Sequence, residues 1–188
     1  MRTSNALVTA ATIAAAGLLL TGCGSLGSTV NTTANNTPAA GTKTSAAAKA
    51  KPAGLGDTVT VTDESGVNLA VTLVKVDAAT QATDGFSTPD NGDQYYAAQV
   101  RIKDIGSAAW SDAPSNCLVV KDGNGQTFRS TIVQSISSGP LMADTANIAP
   151  NDSSLGWIVF QVPKGDKVTT VQFTPLSGMG SNTAQWAL

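Results

Sequence analysis

The side chains that could do chemistry are few, and their types exclude several classes of reaction. The 188-residue chain has 2 cysteines, 13 acidic residues and no histidine. Histidine is the commonest general base and metal ligand, so its absence excludes Ser-His-Asp and Cys-His catalysis, zinc-hydrolase motifs and blue-copper sites. Neither Gly-x-Ser-x-Gly nor a Gly-rich phosphate loop is present. The thiols of Cys23 and Cys117 and the carboxyl groups remain as candidates.

Cys23 ends an amino-terminal segment that has the parts of a secretory signal peptide. Residues 1–5 carry Arg2 and form a short positive region, and the 15 residues 6–20 are mostly small or apolar. Such a run fits a signal-peptide core and is short for a membrane-spanning helix, which needs about 20 residues. The run ends in Leu20-Thr21-Gly22-Cys23, where an ordinary signal would end in Ala-x-Ala. A signal peptide over residues 1–22 is therefore predicted.

The four residues Leu20-Thr21-Gly22-Cys23 resemble the cleavage and lipidation signal of bacterial lipoproteins. The resemblance implies cleavage of the Gly22–Cys23 bond and attachment of a diacylglyceryl group, with fatty acyl chains such as palmitate, to the thiol of Cys23. One acyl chain binds a membrane only marginally, at about 0.8 kcal/mol per buried methylene, whereas two chains on one thiol form a durable anchor. We therefore expect the protein on the extracytoplasmic face of the cell membrane, anchored through Cys23. The alternative is a cysteine that merely follows an ordinary leader.

Residues 24–54 have the composition of a flexible segment. They contain 3 lysines and neither an acidic nor an aromatic residue. Such a segment buries too little apolar surface to offset the entropy of ordering it, so a disordered tether is predicted over residues 23–54. A flexible coil of 31 residues would span roughly 30 Å, and about 100 Å if fully extended. We expect the tether to hold the domain off the membrane, and O-glycosylation of it is a further hypothesis.

The remaining residues, 55–188, carry 7 basic and 13 acidic side chains and so a net charge of −6. An acidic surface repels the phosphate backbone, which excludes nucleic acid as an expected partner. The simplest interpretation of this charge is solubility.

Apolar and polar residues alternate in short runs over residues 55–188, which is the pattern of half-buried β-strands. Turn signals separate the runs: Asp122-Gly123-Asn124-Gly125 predicts a tight hairpin, because Gly and Asn tolerate positive φ. About seven or eight strands and no convincing helix are predicted. They fit two antiparallel sheets packed face to face, with an up-and-down barrel as the alternative. The predicted strands are residues 57–62, 67–73, 96–102, 117–120, 126–130, 155–162, 168–175 and 185–188.

Three stretches are similar to a family of bacterial envelope lipoprotein domains of unknown function: Ile105-Gly106, the Lys-Asp-Gly-Asn-Gly-Gln-Thr-Phe run of residues 121–128, and the Gly-Trp-Ile-Val-Phe-Gln-Val-Pro run of residues 156–163. These domains have an immunoglobulin-like sandwich related to a secreted mycobacterial immunoprotective antigen. The likeness implies an immunoglobulin-like antiparallel β-sandwich over residues 55–188 and a place in the cell envelope. It implies no chemistry, because the family has no agreed activity. The family usually has Asn where Asp104-Ile105 precedes the glycine.

Cys117 and the tryptophans of the domain are interpreted as structural residues. Cys117 is the only cysteine in residues 55–188, and without a cationic or basic neighbour it is expected to be a small buried hydrophobe. Trp110 lies in a polar stretch and could be an exposed binding anchor, although core packing is the preferred interpretation. Trp157 and Trp186 lie on predicted strands.

Two connections are long enough to carry function. Residues 77–92 contain Asp84 and Asp90, whose oxygens could bind calcium, but the spacing matches no calcium-loop motif. A solvated turn is therefore preferred, and neither a metal nor another cofactor is predicted. Residues 131–151 carry several apolar side chains and are either a partner surface or, preferably, a flap folded onto the core.

The sequence as a whole favours a non-enzymatic binding or interaction module on the outer face of the membrane. The expected partner is an envelope protein, a wall polymer or a host molecule. One alternative is an envelope hydrolase, which would need two carboxyl groups about 5–10 Å apart in a cleft. The other is a carrier of a small apolar ligand, which would need an open cavity of several hundred Å³ between the sheets.

Overall fold

The computed structural model describes residues 29–35 and 52–188. Within these ranges the chain forms strands and one four-residue helix, and no helix there is long and apolar enough to cross a membrane. The elements are β1 (Thr29–Asn31), β2 (Thr58–Thr62), β3 (Asn68–Asp77), β4 (Asp93–Asp104), β5 (Trp110–Asp112), α1 (Pro114–Cys117), β6 (Leu118–Asp122), β7 (Thr127–Arg129), β8 (Ala146–Ile148), β9 (Ser153–Pro163), β10 (Val168–Phe173) and β11 (Asn182–Ala187).

Two sheets pack face to face. One has the strand order β2-β3-β4-β9, and the other has the order β1-β11-β10-β6-β7. A small sheet of β5 and β8 stands beside them. Every pair of neighbouring strands is antiparallel except β1 and β11, which are parallel.

Large apolar side chains fill the space between the two sheets. Trp186 is fully buried, and its indole N–H donates to the carbonyl oxygen of Asp57 at 2.9 Å. Trp110 is also buried, with its ring centroid 6.2 Å from that of Phe173, which confirms its interpretation as a core residue. Each such side chain contributes about 1.5–3 kcal/mol by leaving water. Other fully buried side chains of this main core are Phe160, Leu69, Leu73, Ile102, Leu118 and Val120.

The predicted all-β sandwich is confirmed, with more strands than expected. All eight predicted strands are present, and the hairpin after β6 turns at Gly125 with φ +86°. The additional strands β1, β5 and β8 have three residues each. A run of three residues is too short to show an alternating pattern; β7, which has the same length, was predicted from the hairpin turn that precedes it.

Part of the predicted tether belongs to the sandwich. β1 lies beside β11, with Thr29 in register with Asn182. The backbone N–H of Ala53 donates to Thr32 at 2.6 Å, and the Ala53 side chain is buried in the main core. The prediction of a disordered tether therefore needs correction for residues 29–35 and 52–54. The remainder of residues 1–54, including the predicted signal peptide, lies outside the described residues.

The physical reason for this order is the free edge of β2. The carbonyl oxygen of Thr58 accepts the backbone N–H of Asn35 at 2.9 Å, and that of Thr60 accepts the side-chain amide of Asn31 at 2.9 Å. An uncovered strand edge presents unpaired polar groups that can pair with another chain. Composition alone does not predict such contacts, because they depend on individual asparagines that form hydrogen bonds with a strand distant in the chain.

Gly156 allows the chain after β7 to cross the edge of β9. The backbone N–H of Met142 donates to Trp157 at 2.8 Å, and that of Trp157 donates to Pro140 at 3.0 Å. A Cβ at position 156 would lie 2.4 Å from the Cα of Met142, closer than atoms can approach. Any side chain at this position would push the crossing segment away from β9.

Replacing Gly156 by Ala should lower the free energy of unfolding by about 1–3 kcal/mol, the usual cost of overpacking. Urea denaturation of the purified protein measures it. Gly123→Ala is the matched control, since a Cβ there would have its nearest neighbour at 3.7 Å, an ordinary contact. Equal effects of the two substitutions would contradict the importance of the crossing.

Candidate functional site

The candidate site is built from the two connections that the sequence singled out by length. Residues 78–92 join β3 to β4 and are called the acidic loop here; residues 131–142 follow β7 and are called the flap. The two segments run side by side, with Ala82 opposite Ile136 in antiparallel pairing. They form one cover over the outer face of the sheet that contains β4 and β9.

Backbone hydrogen bonds hold the acidic loop to the flap. The N–H of Thr83 donates to the carbonyl of Ser135 at 2.9 Å, and the N–H of Ser137 donates to the carbonyl of Gln81 at 2.8 Å. The pairing is a short antiparallel ladder between segments about 50 residues apart in the chain. The middle of the flap is therefore held by the acidic loop, a segment distant in the chain, in addition to its contacts with β9.

Asp84 adds a side-chain link between the two segments. Its Oδ2 accepts the Ser87 hydroxyl at 2.6 Å and the backbone N–H of Gln134 at 3.1 Å, while its Oδ1 accepts the backbone N–H of Ser87 at 2.8 Å. The hydrogen bonds from Ser87, together with those from Phe86 and Gln134, hold the pKa of Asp84 far below its usual range. The carboxylate thus joins two loops, as expected of a turn-forming residue. The described part of the chain contains no group of three or more side chains placed to bind a metal ion.

Beneath this cover lies a second apolar core, on the face of the sheet opposite the main core. Val133 and Ile136 from the flap are buried there, and Met142 and Ile148 are buried in the main core. The preferred interpretation of residues 131–151 as a flap is therefore confirmed for these side chains. The sheet supplies Tyr95, Ala97, Trp157 and Val159 to the second core.

A cleft of about 380 Å³ opens beside the flap, which is within the size range of ligand-binding pockets. Trp157 lines it from the sheet, and Ile132, with 89% of its surface exposed, lines it from the flap. The other apolar lining residues are Ala113, Val133, Leu141, Met142, Ile158 and Val159; the polar ones are Ser115, Asn116, Ser130, Thr131 and Asp144.

The chemistry of this cleft suits binding. Asp144 is the single carboxyl group among its lining residues, whereas hydrolysis by paired carboxyl groups needs two. The hydroxyls of Ser130 and Thr131 and the amide of Asn116 can each donate and accept hydrogen bonds. An apolar surface with a few such groups can bind and orient a ligand without transforming it.

A second cleft, of about 370 Å³, is lined by Asp63, Glu64 and Asp112, but these carboxylates are engaged within the fold. A hydrogen bond from the backbone of Ser181 lowers the pKa of Glu64. Burial alone would raise the pKa of Asp112, but hydrogen bonds led by those from Ser177 outweigh it and lower the pKa. A general acid needs the opposite shift, so Glu64 and Asp112 are poorly suited to act as the acid in glycoside hydrolysis.

Cys117 is buried, as predicted, with 1% of its surface exposed. Its thiol donates to Oδ2 of Asp112 at 3.2 Å. Burial raises the pKa of the Cys117 thiol strongly, and the neighbouring Asp112 carboxylate raises it further. The reactive form of cysteine is the thiolate, so the burial and the raised pKa support the structural interpretation of this residue.

Gly22 and Cys23, the predicted cleavage and lipidation residues, lie outside the described residues, and their roles stay predictions. Trp157 lines the cleft and belongs to the second core, and it was not predicted from the sequence as a site residue. The uninterrupted apolar run from Trp157 to Phe160 was the available signal, because a strand with apolar residues on both faces must be covered twice.

Residues 53–184 match the family described as a domain of unknown function, DUF4352. The chain belongs to the DUF4352 family. This confirms the predicted relation to a family without an agreed activity. No curated protein sequence matches the chain.

Solved structures share the fold of this DUF4352 domain. The secreted protein MPT63 of Mycobacterium tuberculosis aligns with a TM-score of 0.54 and 23% identity, over 72% of this chain and 95% of MPT63. YcdA of Bacillus subtilis, a predicted lipoprotein, aligns with a TM-score of 0.52 and 16% identity, over 70% of this chain and 38% of YcdA. At these identities the likeness shows a common sandwich fold.

Replacing Asp84 by Ala should loosen the flap, because the N–H of Gln134 loses its acceptor. Amide hydrogen exchange in residues 133–137 should become several-fold faster, with the main core unaffected. Asp90→Ala is the control, since no hydrogen bond of the Asp90 carboxylate links it to the flap. Equal acceleration by both substitutions would contradict the role of Asp84.

The same contact predicts a pH dependence. Because hydrogen bonds lower the pKa of Asp84 in the fold, its stabilising effect is complete above the ordinary Asp value of about 3.9 and is lost as the pH falls below it. The ratio of the amide exchange rates of residues 133–137 in Asp84→Ala and in wild type should therefore persist at a pH of about 5. It should approach one in stronger acid.

Proposed function

We propose that this protein is an extracytoplasmic lipoprotein, anchored to the cell membrane through acyl chains on Cys23, whose β-sandwich is a non-enzymatic binding module. The cleft beside the flap is the binding surface. The observation that carries this function is the make-up of the cleft: an apolar surface containing Trp157, a polar surround and a single carboxyl group.

The anchor is supported by the leader and its ending at Leu20-Thr21-Gly22-Cys23. Export is supported by the relatives of the fold, since MPT63 is a secreted protein and YcdA is a predicted lipoprotein.

The chemistry of the cleft indicates the kind of partner. Ile132, which is largely exposed, offers apolar contact beside the mostly buried Trp157, and the hydroxyls and amide around them offer hydrogen bonds. A protein segment or a wall polymer that carries an apolar group beside amide or hydroxyl groups fits this surface. An envelope protein, a wall polymer or a host molecule can supply such a segment, whereas nucleic acid is disfavoured by the domain charge of −6.

The two alternative functions find less support. The hydrolase lacks a pair of carboxyl groups in the flap cleft, and the second cleft has carboxylates with lowered pKa values. The ligand carrier needs space between the sheets, which Trp186, Phe160 and Phe173 fill. Binding in the flap cleft therefore remains the function that the geometry supports best.

The anchor is tested by replacing Cys23 with Ser and fractionating the cells. We expect the variant to leave the membrane fraction, because the hydroxyl of serine does not receive the lipid. Cys117→Ser is the matched control and should stay with the membrane, since that thiol is buried. Unchanged sedimentation of the Cys23 variant would overturn the anchor.

Binding is tested by replacing Ile132 with Asp. A charge on the apolar lining should lower retention of the protein on envelope extract or wall polymer by about tenfold or more, as expected for an interface hot spot. Phe86→Asp is the control, because Phe86 is another exposed apolar side chain, at 72%, and does not line the cleft. Equal retention of the two variants would argue against the cleft as the binding surface.

A further inference from the structure

The first and last strands begin at the same end of the sandwich. β1 and β11 are parallel, and Thr29 is in register with Asn182. The backbone N–H of Thr29 donates to the carbonyl of Ser181 at 2.6 Å. The chain that comes from Cys23 therefore enters the fold beside residues 174–181, called the β10–β11 turn here.

The covalent link between Cys23 and this end of the fold is short. Six residue steps separate Cys23 from Thr29, which reach at most about 20 Å when fully extended. The tether expected from composition alone would reach about 100 Å. A lipid on Cys23 would consequently keep the β10–β11 turn close to the membrane and leave the opposite end of the sandwich facing away.

The β10–β11 turn presents apolar side chains to solvent. Met179 is 75% exposed and Leu176 is 49% exposed. The turn is fixed by Asp112, which accepts the backbone N–H of Ser177 at 2.9 Å and its hydroxyl at 2.7 Å. Fixing the turn means that little conformational entropy is lost when its side chains make contact with another surface.

From this placement we infer that Leu176 and Met179 contact the lipid surface when the domain is anchored. The inference rests on the proposed anchor at Cys23. Two apolar side chains are too few to hold a free protein on a membrane, but a short link keeps them at high effective concentration beside it. The carboxylate of Glu64, which accepts the N–H of Ser181, and the neighbouring Asp63 disfavour anionic headgroups, so zwitterionic lipid is the better partner.

The test uses the full lipidated chain in phosphatidylcholine vesicles that contain brominated lipid. An environment-sensitive fluorophore is attached at position 179 in Met179→Cys or at position 124 in Asn124→Cys. Position 124 lies in the turn after β6, at the other end of β10, because Val168 pairs with Asp122 and Phe173 pairs with Leu118. The unsubstituted chain reports any labelling of Cys117, which is buried.

We expect at least twofold stronger quenching at position 179 than at position 124, and weaker quenching at 179 when half of the lipid is replaced by phosphatidylglycerol. Equal quenching at both positions on a vesicle-bound, lipidated protein would overturn this inference and leave the anchor intact. A protein whose intact mass shows no lipid and which does not bind vesicles would overturn the anchor, and the inference with it.

Discussion

The structure depends on the ladder between β4 and β9. The two strands pair from Asp93 with Pro163 to Lys103 with Ser153, the longest continuous register in the described chain. The main core covers one face of this pair, and the flap covers the other. Residues 95–98 of β4 and 156–160 of β9 are buried in succession, so both faces are covered there and the ladder hydrogen bonds are shielded from water. This part of the two strands forms a rigid base for the loops.

The flap cleft follows from this double coverage. β9 runs along one side of its sheet, and the segment that leaves β7 pairs with it, so that Thr131 donates to the carbonyl of Val159 at 2.8 Å. The segment then turns across the outer face and meets the acidic loop. The cleft is the space left where the flap leaves β9, and its position is set by the same contacts that bury Val133 and Ile136.

Several acidic residues of the domain stabilise its turns and loops. Asp122 accepts the backbone N–H groups of Asn124 at 2.9 Å and Gln126 at 2.7 Å, and so closes the hairpin after β6. Asp84 does the same for the acidic loop. A carboxylate that receives several N–H donors keeps its charge, and it is poorly suited to exchange a proton with a substrate.

Local patterns were enough to predict eight of the strands, but they did not predict contacts between residues distant in the chain. Val59 and Val61 alternate with threonines, and the Asp122 hairpin has its own turn residues, so both were visible in the sequence. The hydrogen bond between Asp84 and Gln134 joins residues 50 positions apart, and no local pattern predicts it. Asn31 is a second example. It lies in a segment of low complexity, and its side-chain amide donates a hydrogen bond to the edge strand β2.

The pairing of Thr29 with Asn182 also sets the order of events in folding. These residues are 153 positions apart, so β1 can contact the edge of β2 early but has no strand to pair with until β11 is available. Closing such a long loop is slow compared with forming a hairpin. The sheet that contains β1 can therefore be completed only once β11 is available, late in the folding of the described chain.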